Sequence, residues 1–248
     1  MTTAILLSCI VVFITHTLEA VTGFGCTVLA LPFVTALLGM KTGVISLTVI
    51  AWLIALYFAI TKRKLIDFRQ YLIILVCMLA GLPVGIYLFR TFNTGSLKKI
   101  LAVFICAVSV LQLIRLCVVK KEPAPKLTVP VRIMYCLILF AGGIIHGMFS
   151  SGGPFAVLYS SRMIKDKGAF RATMCLLWAT LNTIIITGYI ISHTFNAENI
   201  TVTAWFIPFL AAGIFAGEKI HGKVNAHLFS ILVFSVLLLT GIVMLISK

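Results

Sequence analysis

Acidic side chains are nearly missing from this chain: there are six Asp and Glu in 248 residues, against 20 Lys and Arg. Charge of either sign is scarce, at 10% of positions, and no polar stretch exceeds about a dozen residues, which leaves no room for a sizeable soluble domain. The nucleotide-cradling pattern GxxxxGK[ST] is absent, so nothing points to an ATP-driven machine. No CxxC and no His/Cys cluster of zinc spacing occurs, so neither a metal ion nor any other cofactor is expected. The seven cysteines all fall inside apolar segments and read as packing residues. A net charge of +14 raises nucleic acid as a partner. The basic residues nonetheless sit in short clusters between apolar runs, without a basic face or interleaved aromatics, which excludes that reading. The start, MTTAILL, lacks the basic flank and cleavage site of a signal peptide and is expected to be retained.

What is present is apolar length. Residues of the apolar types make up 61% of the chain, and a helix crosses the hydrocarbon core with about 20 of them. Six segments fit: 43–60, 71–89, 100–119, 172–191, 201–217 and 228–247. Two further stretches, 4–39 and 131–160, are too long for one crossing and are interrupted by VTGFG and by SSGGP. Each reads as a broken-helix hairpin. The fold class is therefore an all-α polytopic membrane protein with six full spans plus two broken-helix hairpins, eight to ten transmembrane segments in all. The lipid bilayer is its first partner.

Fifteen of the 20 basic residues flank the loops near 62–69, 115–132, 162–171 and 219–223, and five lie on the other side. The positive-inside rule then puts those loops in the cytoplasm and both termini outside. The assignment closes only if each broken stretch enters and leaves on the same face. A repeat also emerges. Gly25 and Gly152 share a local motif at an offset of 127, while GLPVG (81–85) recurs as GIFAG (213–217), and Asn93 as Asn225, at 132. Loop 61–70 is strongly basic, whereas its counterpart 192–200 has no Lys or Arg. Halves with opposite loop charge insert upside down relative to each other, giving repeats at 1–119 and 131–248 joined by a cytoplasmic linker at 120–130. Inverted repeats are a recurrent plan of secondary transporters, with the substrate held near the midplane by discontinuous helices.

Backbone left unpaired at a helix break cannot face lipid, so a break inside the membrane implies protein or a water-lined cavity. Gly23, Gly25, Gly152 and Gly153 let backbone N–H groups approach a ligand, and Phe24 lies between the first pair. Pro154 suits the first turn of a following helix. Two helix N-termini aimed at one place suit a small anion, and Thr22, Thr27, Ser150 and Ser151 add hydroxyl donors. Packing explains GLPVG and GIFAG better than a ligand does. Arg171 opens the span RATMCLLWAT as a fixed cation that either reaches the second break or anchors its helix. Trp52, Trp178, Asn182 and Gln112 are best read as core residues.

Glu19 is the only acid in the apolar interior, where an ionised carboxylate costs on the order of 2.5–3.5 kcal/mol on insertion scales. His16 shares its helical face, and His146 is its counterpart at the offset of 127. These three are the candidate proton relay.

The order GFG then Pro32 in the first half, GMFSSGGP (147–154) in the second, and FRAT (170–173) with GIFAG and Asn225 after it resembles the sulfite exporter TauE/SafE family of permeases. The likeness covers nearly the whole chain. Ser150 and Ser151 stand where that family often has further glycines, and Ala20 stands at a small glycine position. The resemblance implies a multi-pass permease of the bacterial cytoplasmic membrane moving sulfite or organosulfonate anions, with the paired glycine-rich breaks as its central pathway. The resulting expectation is a secondary transporter, exporting and proton-coupled, and not an enzyme. Two rivals remain: an uptake permease or channel for another small anion, and an intramembrane hydrolase with Ser150 as nucleophile and His146 as base.

Overall fold

The computed structural model describes the backbone of residues 2–22, 26–117, 128–220 and 226–246; side chains at 2, 18–22, 26, 218, 220 and 226–230 fall outside the description. Among the described residues there is no strand. The described residues form ten α-helices: α1 (Thr2–Thr22), α2 (Cys26–Leu38), α3 (Met40–Thr61), α4 (Phe68–Thr91), α5 (Thr94–Cys117), α6 (Val129–Phe149), α7 (Gly153–Met163), α8 (Lys167–Ile191), α9 (Ala197–Ile220) and α10 (Ala226–Ile246). A single 3-10 turn, Arg63–Leu65, stands between α3 and α4.

Among the described residues, six helices are long and apolar enough to cross a bilayer: α3, α4, α5, α6, α8 and the Ala197–Gly217 part of α9. Five coincide with segments expected from the sequence. The sixth is α6, the first part of the stretch expected to be broken, while the expected segment 228–247 is α10, Ala226–Ile246, whose side chains are described from residue 231. The reason lies in where the break falls. SSGGP interrupts the 131–160 stretch near its end, leaving a helix of 21 residues before it and one of 11 after it, about 31 and 16 Å long. Large apolar side chains such as Val76, Tyr87, Phe215 and Leu239 stay more than half exposed, as they must when the surrounding solvent is lipid rather than water.

The helices sort into two compact units, each drawing on both halves of the sequence. One comprises residues 1–46, 92–122 and 197–248, the other residues 47–91 and 123–196. In the first unit α1 packs on α9 and on α2, and α5 on α10. In the second, α4 packs on α6 and α8, and α6 on α7.

Glycine sets the closeness of two of these pairs. A Cβ at Gly81 of α4 would press on the Phe140 carbonyl oxygen of α6 and stand 3.0 Å from the Ile144 nitrogen. A Cβ at Gly213 of α9 would stand 2.7 Å from the Phe13 carbonyl oxygen of α1 and 3.3 Å from the Thr17 nitrogen. Within each unit, then, one glycine lies against one carbonyl and the nitrogen four residues on. The two glycines are 132 residues apart, and Phe13 and Thr17 are each 127 residues before their counterparts. Gly85, Gly143 and Gly147 extend the α4/α6 contact, each with a facing backbone atom where a side chain would go. This is small-residue packing of the kind membrane helices use in place of hydrophobic burial.

Candidate functional site

The second unit holds a helix break in full view. At the end of α6 the Ser150 N–H donates to the His146 carbonyl at 2.7 Å, and Ser150 itself takes the left-handed conformation, φ 51°. That conformation costs a non-glycine residue roughly 1–2 kcal/mol and ends the helix. Gly152 caps the next one, α7, with Pro154 in its first turn, where a missing N–H is harmless. From there α7 runs back along α6. Arg162 donates to the Tyr135 hydroxyl at 2.9 Å, and the Tyr135 and Tyr159 rings meet edge to face at 5.3 Å. Residues 129–163 thus begin and end at the same end of α6.

Three long helices meet this break close to their middles. The Ser150 hydroxyl pairs with that of Thr48 on α3 at 2.6 Å. A Cβ on Gly152 would stand 2.8 Å from the Met78 side chain of α4. The His146 ring stacks on Trp178 of α8 at 5.1 Å with a 27° tilt. Thr48, Met78 and Trp178 each lie within about 4 Å of the centre of their own helix along its axis. The break therefore lies level with the middles of these three helices.

The imidazole of His146 is tied to the break from below. Its Nδ1 accepts the Gly152 N–H at 3.3 Å, so this nitrogen carries no proton and the neutral ring holds its hydrogen on Nε2. That Nε2 and the Asn182 side-chain oxygen, both buried, face each other without a hydrogen bond of ordinary geometry, and the Ser151 hydroxyl is buried without a partner. His146, Ser151 and Asn182 are each at most 2% exposed, and Asn182 stands beside the imidazole. Orphaned buried polar atoms are rare, and each calls for a ligand, an ion or a water. Gly153 adds a further N–H at the first position of α7, where no intrahelical acceptor exists.

The expected site residues distribute as follows. Ser150, Ser151, Gly152, Gly153, Pro154 and His146 come together at the break. Arg171 is elsewhere: its guanidinium lies over the Phe58 ring, 4.1 Å from the centroid, about 12 Å from the centre of α8 along its axis. His16 belongs to the other unit, fully buried, with Nδ1 2.7 Å from the Val12 carbonyl. Thr27 opens α2 in the same unit. Gly23, Phe24 and Gly25 lie outside the described residues, as do the side chains of Glu19 and Thr22. Ser150 and His146 do not pair as nucleophile and base, because the hydroxyl is engaged by Thr48 and the Nδ1 by Gly152. Among the described residues no three His, Cys, Asp or Glu converge.

Thr48 was invisible from the sequence. A threonine in an apolar run ordinarily bonds back to its own helix, and nothing local marks a partner 102 residues away. Trp178 and Asn182 carried a signal, being four residues apart on one face of an apolar helix, but no sequence rule gave that face a target.

Long apolar helices with lipid-type exposure, wrapped around a polar break, define a multi-pass membrane protein. The chain belongs to the sulfite exporter TauE/SafE family, whose model matches residues 8–244, nearly its whole length, and the family is one of membrane transporters. No curated protein and no solved structure matches the chain.

Proposed function

We propose that this protein is a secondary permease for small sulfur-containing oxyanions, sulfite or organosulfonates, in the bacterial cytoplasmic membrane, and that the α6–α7 break binds the anion. The observation that carries the reading is the buried Ser151 hydroxyl, which has no hydrogen-bond partner, beside the open first turn of α7. A buried donor with no protein acceptor suits an anionic ligand. Membership of the sulfite exporter family supports the substrate class.

The matched contacts of Gly81 and Gly213 support two inverted repeats, 1–119 and 131–248, because each repeat places its first helix against the fourth helix of the other: α1 against α9, and α6 against α4. On this plan the VTGFG segment supplies a second break, with Thr22, Gly23, Phe24, Gly25 and Thr27 as its ligand residues. Both termini are extracytoplasmic and transport runs outward. Glu19 couples the anion to protons. An entering anion raises the cost of ionising a nearby carboxylate and so favours its protonation, and the coupling is reciprocal.

Flux of radiolabelled sulfite, taurine and sulfoacetate into proteoliposomes, with and without a pH gradient, tests this. Saturable flux of at least one is expected, with Glu19→Gln retaining exchange but losing the response to the gradient. Gradient-driven flux at the wild-type rate in Glu19→Gln removes the coupling role, and absence of flux for every sulfur anion removes the substrate class.

A further inference from the structure

The two ends of the second unit differ in charge. The 3-10 turn between α3 and α4 carries Lys62, Arg63 and Lys64, and Arg69 follows in the first turn of α4; all four are exposed. The start of α8 lies against this turn. The Asp67 N–H donates to the Thr173 hydroxyl at 2.9 Å, and a Cβ on Gly168 would stand 3.2 Å from the Leu65 Cδ1. Lys165 and Lys167, also exposed, therefore stand at the same end. So do the exposed Arg132 and Arg162, because α6 runs parallel to α4, with Gly81 at Phe140 and Gly85 at Ile144, and α7 returns to where α6 began.

These cations are not offset. The acids among these segments are Asp67 and Asp166, and each commits an oxygen to a helix start, accepting the Gln70 N–H at 3.1 Å and the Ala169 N–H at 2.7 Å. At the opposite ends of α4 and α8, among the described residues, Arg90 is the one cation, and it donates to the Gly188 carbonyl at 2.8 Å.

Apolar side chains accompany the charge. Leu65 is 47% exposed and Phe68 is 60% exposed, both beside the basic turn. Arg69 is followed one and two turns on by the exposed Ile73 and Val76, and Arg132 by the exposed Cys136 and Phe140. A surface that passes from cation to apolar side chain within two helical turns matches a phospholipid, with its phosphate at one level and its acyl chain below. The turn is also held in place by α8 before anything binds, which lowers the ordering cost of binding.

We propose that this end of the second unit is a binding surface for anionic phospholipid headgroups, whose phosphates pair with the cations of the α3–α4 and α7–α8 connections while Leu65 and Phe68 enter the boundary between headgroups and chains. The lipid then braces connections that are separate in sequence, so it stabilises the folded chain. A free phosphate shares the charge but has no acyl chain to lie along Ile73 and Val76.

Thermal unfolding of the full chain in a neutral detergent, titrated with dioctanoyl phosphatidylglycerol, dioctanoyl phosphatidylcholine or inorganic phosphate, tests this. Phosphatidylglycerol should raise the melting temperature in a saturable, salt-sensitive way, and the other two should not at equal concentration. Neutralising one cation should weaken phosphatidylglycerol about fivefold, read separately in Arg69→Gln and Arg132→Gln. The triple variant Lys62→Gln, Arg63→Gln and Lys64→Gln should weaken it at least about tenfold. Lys41→Gln makes the same charge change at the other end of α3 and should stay within about twofold of wild type.

A phosphatidylcholine shift equal to that of phosphatidylglycerol overturns the proposal, as does a full shift with inorganic phosphate, which would make the cluster a free-anion site. Wild-type phosphatidylglycerol affinity in the triple variant, or in both single variants if the triple does not fold, overturns it too. If those variants instead slow sulfite flux in vesicles of phosphatidylcholine alone while keeping that affinity, the cluster serves the transported anion and not lipid.

Discussion

The Gly152 N–H donates to Nδ1 of His146 across a helix break, at 3.3 Å, so the backbone of one helix start fixes the tautomer of a side chain on the helix before it. The contact is possible only because Gly152 has no side chain. A Cβ there would press on the Gly142 carbonyl oxygen and stand 2.8 Å from both the His146 Cβ and the Met78 methyl. Its neighbour Gly153 is different, with a Cβ meeting only Trp178 at 4.0 Å. Gly152→Ala is therefore expected to lose about 1–3 kcal/mol of stability and to lose anion binding with it. Gly153→Ala should melt like wild type. Thermal unfolding of the two variants in detergent compares them directly, and equal losses would mean the break is not packed as described.

Thr48 and Ser150 form a buried hydroxyl pair at 2.6 Å, and removing either member takes a partner from the other. Thr48→Val and Ser150→Ala should each cost about 1–3 kcal/mol, and the double variant should cost less than the two together. Strict additivity of the melting shifts would argue that the pair is not coupled. Ser150→Gly separates the hydroxyl from the backbone, since it relieves the positive φ while still removing the Thr48 contact.

Arg171 sits over Phe58, an arrangement worth about 0.5–2 kcal/mol. Arg171→Ala should lower stability by about that amount and leave anion affinity within about twofold of wild type. A tenfold loss of affinity in that variant would put the guanidinium at the anion instead.

Gly81 and Gly213 make the same contact in the two units. Gly81→Val and Gly213→Val should both prevent accumulation of folded protein, because the facing atoms are helix backbone and cannot swing aside. If either valine variant accumulated and melted as wild type does, that helix pair would have to be less tightly packed than the glycine contact requires.

Orientation is open to single-cysteine labelling in intact cells. Cysteines placed in loop 62–67 should resist an impermeant reagent, and those at 193–196 should react. The reverse pattern would invert the assignment of the termini.

The sequence by itself determined the solvent and the class. A chain with a single acid in its apolar interior, runs near the length of a bilayer and basic clusters only between them has no water-soluble solution, because lipid leaves helices to satisfy their own backbone. It also marked Ser150 to Pro154 as a break, since a glycine pair followed by proline cannot continue a helix from either side. The sequence could not say that the break would follow a full-length helix, that GLPVG would lie against α6, or that Thr48, Met78 and Trp178 would meet at its level. Those facts depend on which helix faces which, and where helices associate by close backbone contact rather than by hiding apolar surface, hydropathy carries little record of the partner. The state of His146 was likewise undecidable from its neighbours in sequence. Nothing local shows that a backbone N–H six residues on meets its Nδ1, and only the fold brings that N–H to the ring.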